Sequence, residues 1–147
     1  MQERMTAAQF RKRKSKRSKY GNKKTIVDGI TFDSKAEARF YSELKLRKQA
    51  GEIKDFVLQP RYILQDGFVK NGKTFRKIEY VADFEIHHND GTTEVVDVKG
   101  AITKEFSLKR KMFEFKYLES LKVLKYDSRY GFVDIDELDR FKKARKG

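Results

Sequence analysis

Two aspartates and a lysine are the residues best spaced to do chemistry. Asp83 falls in the run Tyr80-Val81-Ala82-Asp83-Phe84-Glu85-Ile86, and Asp97 and Lys99 fall in Glu94-Val95-Val96-Asp97-Val98-Lys99-Gly100. Side chains alternate between the faces of a strand. Tyr80, Ala82, Phe84 and Ile86 are therefore expected on one core face, with Asp83 looking the other way beside Val81 and Glu85. In the second run Val95, Asp97 and Lys99 share a face, and Val96 and Val98 share its opposite. If Asn89-Asp90-Gly91 makes a three-residue turn, cross-strand partners sum to 180 and Asp83 stands opposite Asp97; a two-residue turn shifts the pairing by one. Opposed carboxylates repel and destabilise a sheet. A divalent cation between them converts repulsion into coordination, and Mg²⁺ takes one or two carboxylates while keeping waters for substrate phosphate. Lys99 follows about 7 Å along the same face, where an ammonium can orient water or meet charge developing on phosphate. Gly100 is expected to let the backbone end the strand tightly and approach a ligand. The competing view is an exposed strand on which Lys99 simply pairs with the aspartates. Val95, Val96 and Val98 weigh against it, because they mark a buried strand where unpaired charge is expensive.

A third carboxylate, Glu37, can complete the site. Phe40, Tyr41 and Leu44 follow it at helical spacing, which puts it on an apolar stripe. Ser34-Lys35-Ala36-Glu37 is also a capping box, in which the glutamate serves the helix start and nothing else. Spacing leaves both roles open. Glu94 is expected on the opposite strand face, outside the site. His87 and His88 are adjacent on a strand and point to opposite faces, so surface positions suit them better than a shared metal.

The chain that must position these residues has 147 residues, 35 Lys and Arg against 22 Asp and Glu, and a formal net charge of +13. It has no Cys, which excludes disulfide scaffolds and thiolate metal sites. No apolar run reaches the roughly 18 residues of a membrane span, and no apolar signal core follows the N-terminus. A cytoplasmic protein that meets a polyanion is expected. Charge is concentrated: residues 1–24 carry ten Lys and Arg against Glu3 alone, and the other 123 residues carry a net of only +4. Residues 1–24 are expected to form a disordered basic arm, and Arg11, Lys12, Arg13, Lys14, Lys16, Arg17 and Lys19 are its candidate phosphate contacts. Residues 25–147 hold enough apolar side chains for one core.

Within that body, Ile26–Phe32 around Asp28-Gly29 reads as a short hairpin. Asp33 and Ser34 open a helix that runs to about Ala50 and stops at Gly51. Asp55–Leu64 reads as a strand in which Pro60 signals an edge or bulge. The Asn71-Gly72 turn leads to a strand at Ile78–His87, with Lys70, Lys73, Arg76 and Lys77 decorating the hairpin as solvated residues or as contacts to DNA. Thr93–Lys99 is the next strand. A basic amphipathic helix over Lys104–Ser120 follows, then a strand at Leu121–Tyr126 and a helix at Asp134–Lys146. Phe106, Met112, Phe113 and Phe115 are expected in the core. The order implies an α/β sandwich on a mixed sheet. There is no phosphate-binding glycine loop and no HExxH, so neither a nucleotide cofactor nor a zinc-peptidase site is expected.

Glu37, Asp83 and Asp97-Val98-Lys99 together resemble the PD-(D/E)XK nuclease superfamily, with its restriction-endonuclease-like core. In that pattern a helix Glu, a strand Asp and an acid-x-Lys on the next strand recur in this order. Phe32–Glu37, Tyr80–Phe84, Val96–Gly100 and Phe106–Lys111 are more closely similar to a phage-encoded family of small basic Holliday junction resolvase-like endonucleases. Asp97 stands where Glu is commoner, one methylene shorter. The resemblance implies that Asp83, Asp97 and the Val98 carbonyl hold one or two Mg²⁺ or Mn²⁺ ions, that Glu37 ligates a metal or a metal-bound water, and that Lys99 positions the attacking water. The outcome is phosphodiester hydrolysis with no covalent intermediate. It also implies branched DNA as substrate, a homodimer with two sites, and the host-cell cytoplasm if the chain is phage-encoded. Lys109, Arg110 and Lys111 are candidate DNA contacts on the helix after the site. A non-catalytic nucleic-acid-binding module, or a site- or end-directed nuclease subunit of a recombination complex, fits the same charge and fold.

Overall fold

The computed structural model describes residues 24–146, so the basic residues from Arg11 to Lys19 lie outside the described residues. Two short strands open the fold, β1 (Thr25–Val27) and β2 (Ile30–Phe32), paired antiparallel across Asp28-Gly29. Both turn residues have positive φ (52° and 73°), the backbone of a two-residue hairpin turn that Asp-Gly favours. Helix α1 (Lys35–Gln49) follows as expected. Ser34 caps it by accepting a hydrogen bond from the Glu37 N–H at 3.1 Å, and Gly51 at φ 77° ends it.

The main sheet has five strands in the order β11-β10-β9-β8-β3, comprising β3 (Asp55–Leu58), β8 (Phe84–His87), β9 (Thr93–Val98), β10 (Leu121–Asp127) and β11 (Gly131–Asp134). Only β9 and β10 run parallel, joined by the crossover helix α2 (Lys104–Lys116). Its N-cap is Thr103, and it stops four residues short of the Ser120 expected. Helix α3 (Ile135–Lys146) closes the chain. An α/β architecture with a mixed sheet flanked by helices is therefore what forms.

Both faces of the sheet are buried. On one, Ala38, Phe40, Tyr41 and Leu44 of α1 pack against Phe84, Ile86, Val96 and Val98. On the other, Phe106 and Phe113 of α2 pack with Val95, Leu121 and Val123. This double burial explains why β9 reads as a nearly continuous apolar run. Phe115 departs from expectation: it projects into solvent at 94% exposure, while Met112 is partly buried against the second cluster.

Two expected strands are each broken in two. Asp55–Leu64 becomes β3 and β4 (Arg61–Gln65), and Ile78–His87 becomes β7 (Ile78–Val81) and β8; β4 pairs with β7 in a separate two-stranded sheet. The breaks face each other. Gln59 adopts φ 49°, its N–H donates to the Asp83 carbonyl (2.9 Å), and the Ala82 N–H donates to the Pro60 carbonyl (3.1 Å). Proline lacks the N–H that a continuous ladder would need at position 60. The slip changes the faces: Tyr80 and Ala82 pack in the α2 cluster, and Phe84 and Ile86 in the α1 cluster, so the four do not share the face expected. Beyond β4 and β7 the chain extends into the hairpin β5 (Phe68–Lys70) and β6 (Lys73–Phe75), exposed throughout and turned by Asn71-Gly72. At the C-terminal end, β11 was not expected. It exists because Asp127 bonds the Arg129 and Tyr130 N–H groups (2.7 and 3.0 Å) and Gly131 takes φ 78°, which returns Phe132 to pack on Phe40.

Candidate active site

The register of β8 and β9 decides the geometry. Phe84 pairs with Val96, Glu85 with Val95, Ile86 with Glu94 and His87 with Thr93. Every pair sums to 180, as the three-residue turn requires. Extending the register by one brings Asp83 against Asp97, just where β7 breaks from β8. The two residues clasp each other: the Asp83 N–H donates to Asp97 Oδ1 (3.0 Å), and the Val98 N–H donates to Asp83 Oδ2 (2.8 Å). At the break the Asp83 N–H thus turns to the other carboxylate, while its carbonyl accepts from the Gln59 N–H.

Asp97 is 1% exposed, and its Oδ2 has no hydrogen-bond partner. Lys99 Nζ stands 3.8 Å from that oxygen. The ammonium also lies 4.6 Å from the Phe106 ring centroid, a distance at which the ring face attracts a cation. Lys99 is anchored in turn, its N–H donating to the Leu124 carbonyl (2.8 Å), which carries the parallel pairing one residue past β9. Burial pushes the Asp97 carboxyl up to about 7, against the opposing pull of Lys99 and of the Asp83 N–H.

Glu37, in the first turn of α1, feels the same site. Its carboxyl is pushed up to about 9, chiefly by burial, then by the negative charges of Asp83, Asp33 and Asp97, with Lys99 opposing. The capping box is half-made. Ser34 Oγ accepts from the Glu37 N–H, but no bond from the Glu37 carboxylate back to the cap is present among the described residues. Helix α1 thus brings Glu37 into the field of the two strand aspartates. Sequence reasoning missed Asp33, treating it only as a helix opener. Its signal was its place next to the cap of the helix that carries Glu37.

The residues suit a divalent cation on one ground and lack a finished cage on another. Among the described residues, no group of three or more His, Cys, Asp or Glu is gathered to hold a metal ion. What is present is a buried carboxylate oxygen with no donor and a glutamate whose carboxyl is pushed up chiefly by burial and then by neighbouring acids. A cation would relieve both. Two carboxylates and a backbone carbonyl also match the few protein ligands that Mg²⁺ takes beside its waters.

Other candidates sort differently. Arg110 is engaged inside the protein, its guanidinium bonding Asp136 and the Leu121 carbonyl. Lys109 pairs with Glu105 at 3.5 Å, and Lys111 is exposed. His87 and His88 are half-buried rather than free at the surface, each against its own carboxylate, Glu85 (2.7 Å) and Glu94 (3.0 Å). Glu85 itself is buried and accepts from the Tyr62 hydroxyl at 2.5 Å. Glu94 also faces Lys122 (3.5 Å), away from the candidate site. Gly100 has no steric need to be glycine, since a Cβ there would meet nothing within 4 Å.

Residues 17–128 match the family described as "Protein of unknown function (DUF1064)". The chain belongs to the DUF1064 family. The match includes Glu37, Asp83, Asp97 and Lys99, so the whole candidate site lies within the DUF1064 portion of the chain. Comparison with the curated proteins and with the solved structures gave no match. Among the described residues, no helix is long and apolar enough to cross a membrane.

Proposed function

We propose that the protein is a metal-dependent DNA endonuclease with a PD-(D/E)XK-type site, acting on branched DNA in the manner of a Holliday junction resolvase. The observation that carries this reading is the clasp of Asp83 and Asp97 at the strand break, with a donor-less Asp97 oxygen 3.8 Å from the Lys99 ammonium. Asp83, Asp97 and the Val98 carbonyl would hold Mg²⁺ or Mn²⁺, with Glu37 as the neighbouring acid. A cation bound there supplies charge neutralisation at the scissile phosphate.

The protein's own groups do the rest. Lys99 donates a hydrogen bond that orients water for in-line attack on phosphorus, and Phe106 holds the ammonium on the site side of α2. Buried surroundings strengthen both effects by excluding water from between the charges. Asp97, buried, paired with Val123 of β10 and clasped to Asp83, fixes the position against which the phosphate is aligned. A dimer would present two such sites, as paired nicks on a four-way junction require.

The test is purified protein with Mg²⁺ or Mn²⁺ on a labelled four-way junction and a matched linear duplex. Junction cleavage lost in Asp97→Ala and Lys99→Ala, with DNA binding in chelator retained, supports the proposal. Binding without cleavage under either metal sinks it in favour of a non-catalytic binding module. Equal cleavage of the linear duplex replaces junction selectivity with general nuclease activity.

A further inference from the structure

The β5–β6 hairpin is unlike the rest of the described surface. Its register pairs Phe68 with Phe75 and Lys70 with Lys73, so these four side chains share one face of the ribbon. The two rings are stacked, with centroids 4.8 Å apart and planes 12° from parallel, yet both stay exposed (45% and 37%). One step nearer the tip, Lys70 and Lys73 are cross-strand partners, with the Lys73 ammonium 5.3 Å from the Phe75 ring centroid; like charges so paired destabilise a hairpin unless an anion joins them. Among the described residues, no carboxylate pairs with Lys70, Lys73 or Arg76. The first ion pairs occur at the base, where Glu79 holds Lys77 (2.6 Å) and Arg61 (3.4 Å). From Phe68 to Lys77 there are four basic residues and no acid. The ribbon holds its shape nonetheless. Asn71-Gly72 takes the positive φ values of a tight turn (52° and 72°), and Gly67 lets the strands close, since a Cβ there would stand 3.1 Å from the Phe75 carbonyl oxygen.

We infer that this ribbon is a DNA-binding element, resting on the nucleic-acid reading above: Lys70, Lys73 and Arg76 take backbone phosphates, and the Phe68–Phe75 pair receives a base left unstacked at a branch. Charge complementarity selects the partner, because a polyanion relieves the Lys70–Lys73 repulsion and an apolar partner does not. A two-stranded ribbon is also narrow enough to enter a DNA groove, and exposed aromatic faces add stacking that duplex ends and junctions can use. Position agrees as well. Phe75 precedes Asp83 by eight residues, so the chain separates them by no more than about 29 Å, less than one duplex turn of about 34 Å. One DNA arm can therefore span ribbon and candidate site together.

The experiment measures binding by fluorescence anisotropy in chelator, where cleavage cannot contribute, on a four-way junction and a linear duplex over a range of salt. Lys70→Gln with Lys73→Gln is expected to weaken both complexes roughly tenfold and to lower the salt slope by about 2, one for each phosphate no longer neutralised. Phe68→Leu with Phe75→Leu keeps apolar cover on the hairpin but removes the π faces, and is expected to weaken the junction complex several-fold more than the duplex complex. Unchanged affinity and slope in both variants overturn the inference, as does a wild-type protein that binds no DNA. A change of oligomeric state in the phenylalanine variant, with DNA affinity intact, also overturns it and makes the ribbon a self-association surface. Ribbon-dependent binding by a protein that never cleaves DNA leaves this inference standing and removes the nuclease reading. Cleavage that ignores the ribbon does the opposite.

Discussion

The Asp83–Asp97 pair and the Lys70–Lys73 pair pose one electrostatic problem in two solvents. Each sets two like charges across a two-strand register. In the first pair Asp97 is buried, and the repulsion is answered inside the protein by backbone N–H groups and by one lysine, while the carboxyl of nearby Glu37 is pushed up by burial and by the same charges. In the second the charges are solvated, so water and salt do most of the answering; among the described residues no carboxylate pairs with either lysine, and Lys73 has only the Phe75 ring, 5.3 Å from its ammonium. The Coulomb energy of a close pair is several-fold larger at low dielectric than in water. Frustration in the buried pair should therefore change protonation, stability and metal affinity, whereas in the exposed pair it should change only how strongly an outside anion is held.

The largest expected effect falls on the buried side. Asp97→Asn should reduce junction cleavage by at least about a hundredfold, with affinity in chelator changed less than twofold; retained cleavage would place the chemistry elsewhere. Next comes pH. Glu37 and Asp97 are held above their ordinary values, so in the folded protein they bind protons that the unfolded chain has released. Their stabilising contribution is complete below about pH 4 and is lost as pH rises through about 7 and about 9. Metal-free protein should melt several degrees lower at pH 9 than at pH 5. Glu37→Gln should flatten that slope, and Mg²⁺ should raise Tm more at pH 8 than at pH 5. Asp28, Asp55, Glu79 and Asp90, held below their ordinary values, titrate outside this window. A pH-independent Tm would show that the buried carboxylates are better compensated than their surroundings imply.

Phe106→Leu should have an intermediate effect, lowering cleavage several-fold through the freed Lys99 while leaving the pH slope of Tm in place. If both change together, Phe106 acts through the core and not through the ammonium. Smallest is Gly100→Ala, expected to shift stability by less than about 0.5 kcal/mol and cleavage by less than twofold. A larger change would restore a role for close backbone approach at that position.

Much of the site was legible because it depends on local rules. The three-residue turn at Asn89–Gly91 fixed the 180-sum register, Ser34 marked the helix start, and Asp83 fell opposite Asp97. What escaped depends on tertiary choice. Alternation assumes a continuous strand, so it could not reveal that β7 and β8 belong to different sheets, with Tyr80 and Phe84 on different faces. Pro60 gave half of that signal; Gln59, with a positive φ that its residue type does not advertise, supplied the other half. Phe115 looked like core because composition cannot say where a helix stops facing the sheet. Asp33 entered the site's field only once α1 was docked on β8 and β9.

Strand β9 is the third of five, hydrogen-bonded on both sides by β8 and β10. Its amides from Val95 to Val98 should be among the last in the molecule to exchange with deuterium, and those of the β5–β6 tip among the first. Asp97 is therefore a fixed anvil. If the proposed DNA reading holds, a phosphate that reaches it would be brought into alignment by the bending of DNA and of the β5–β6 ribbon, not by yielding of the site.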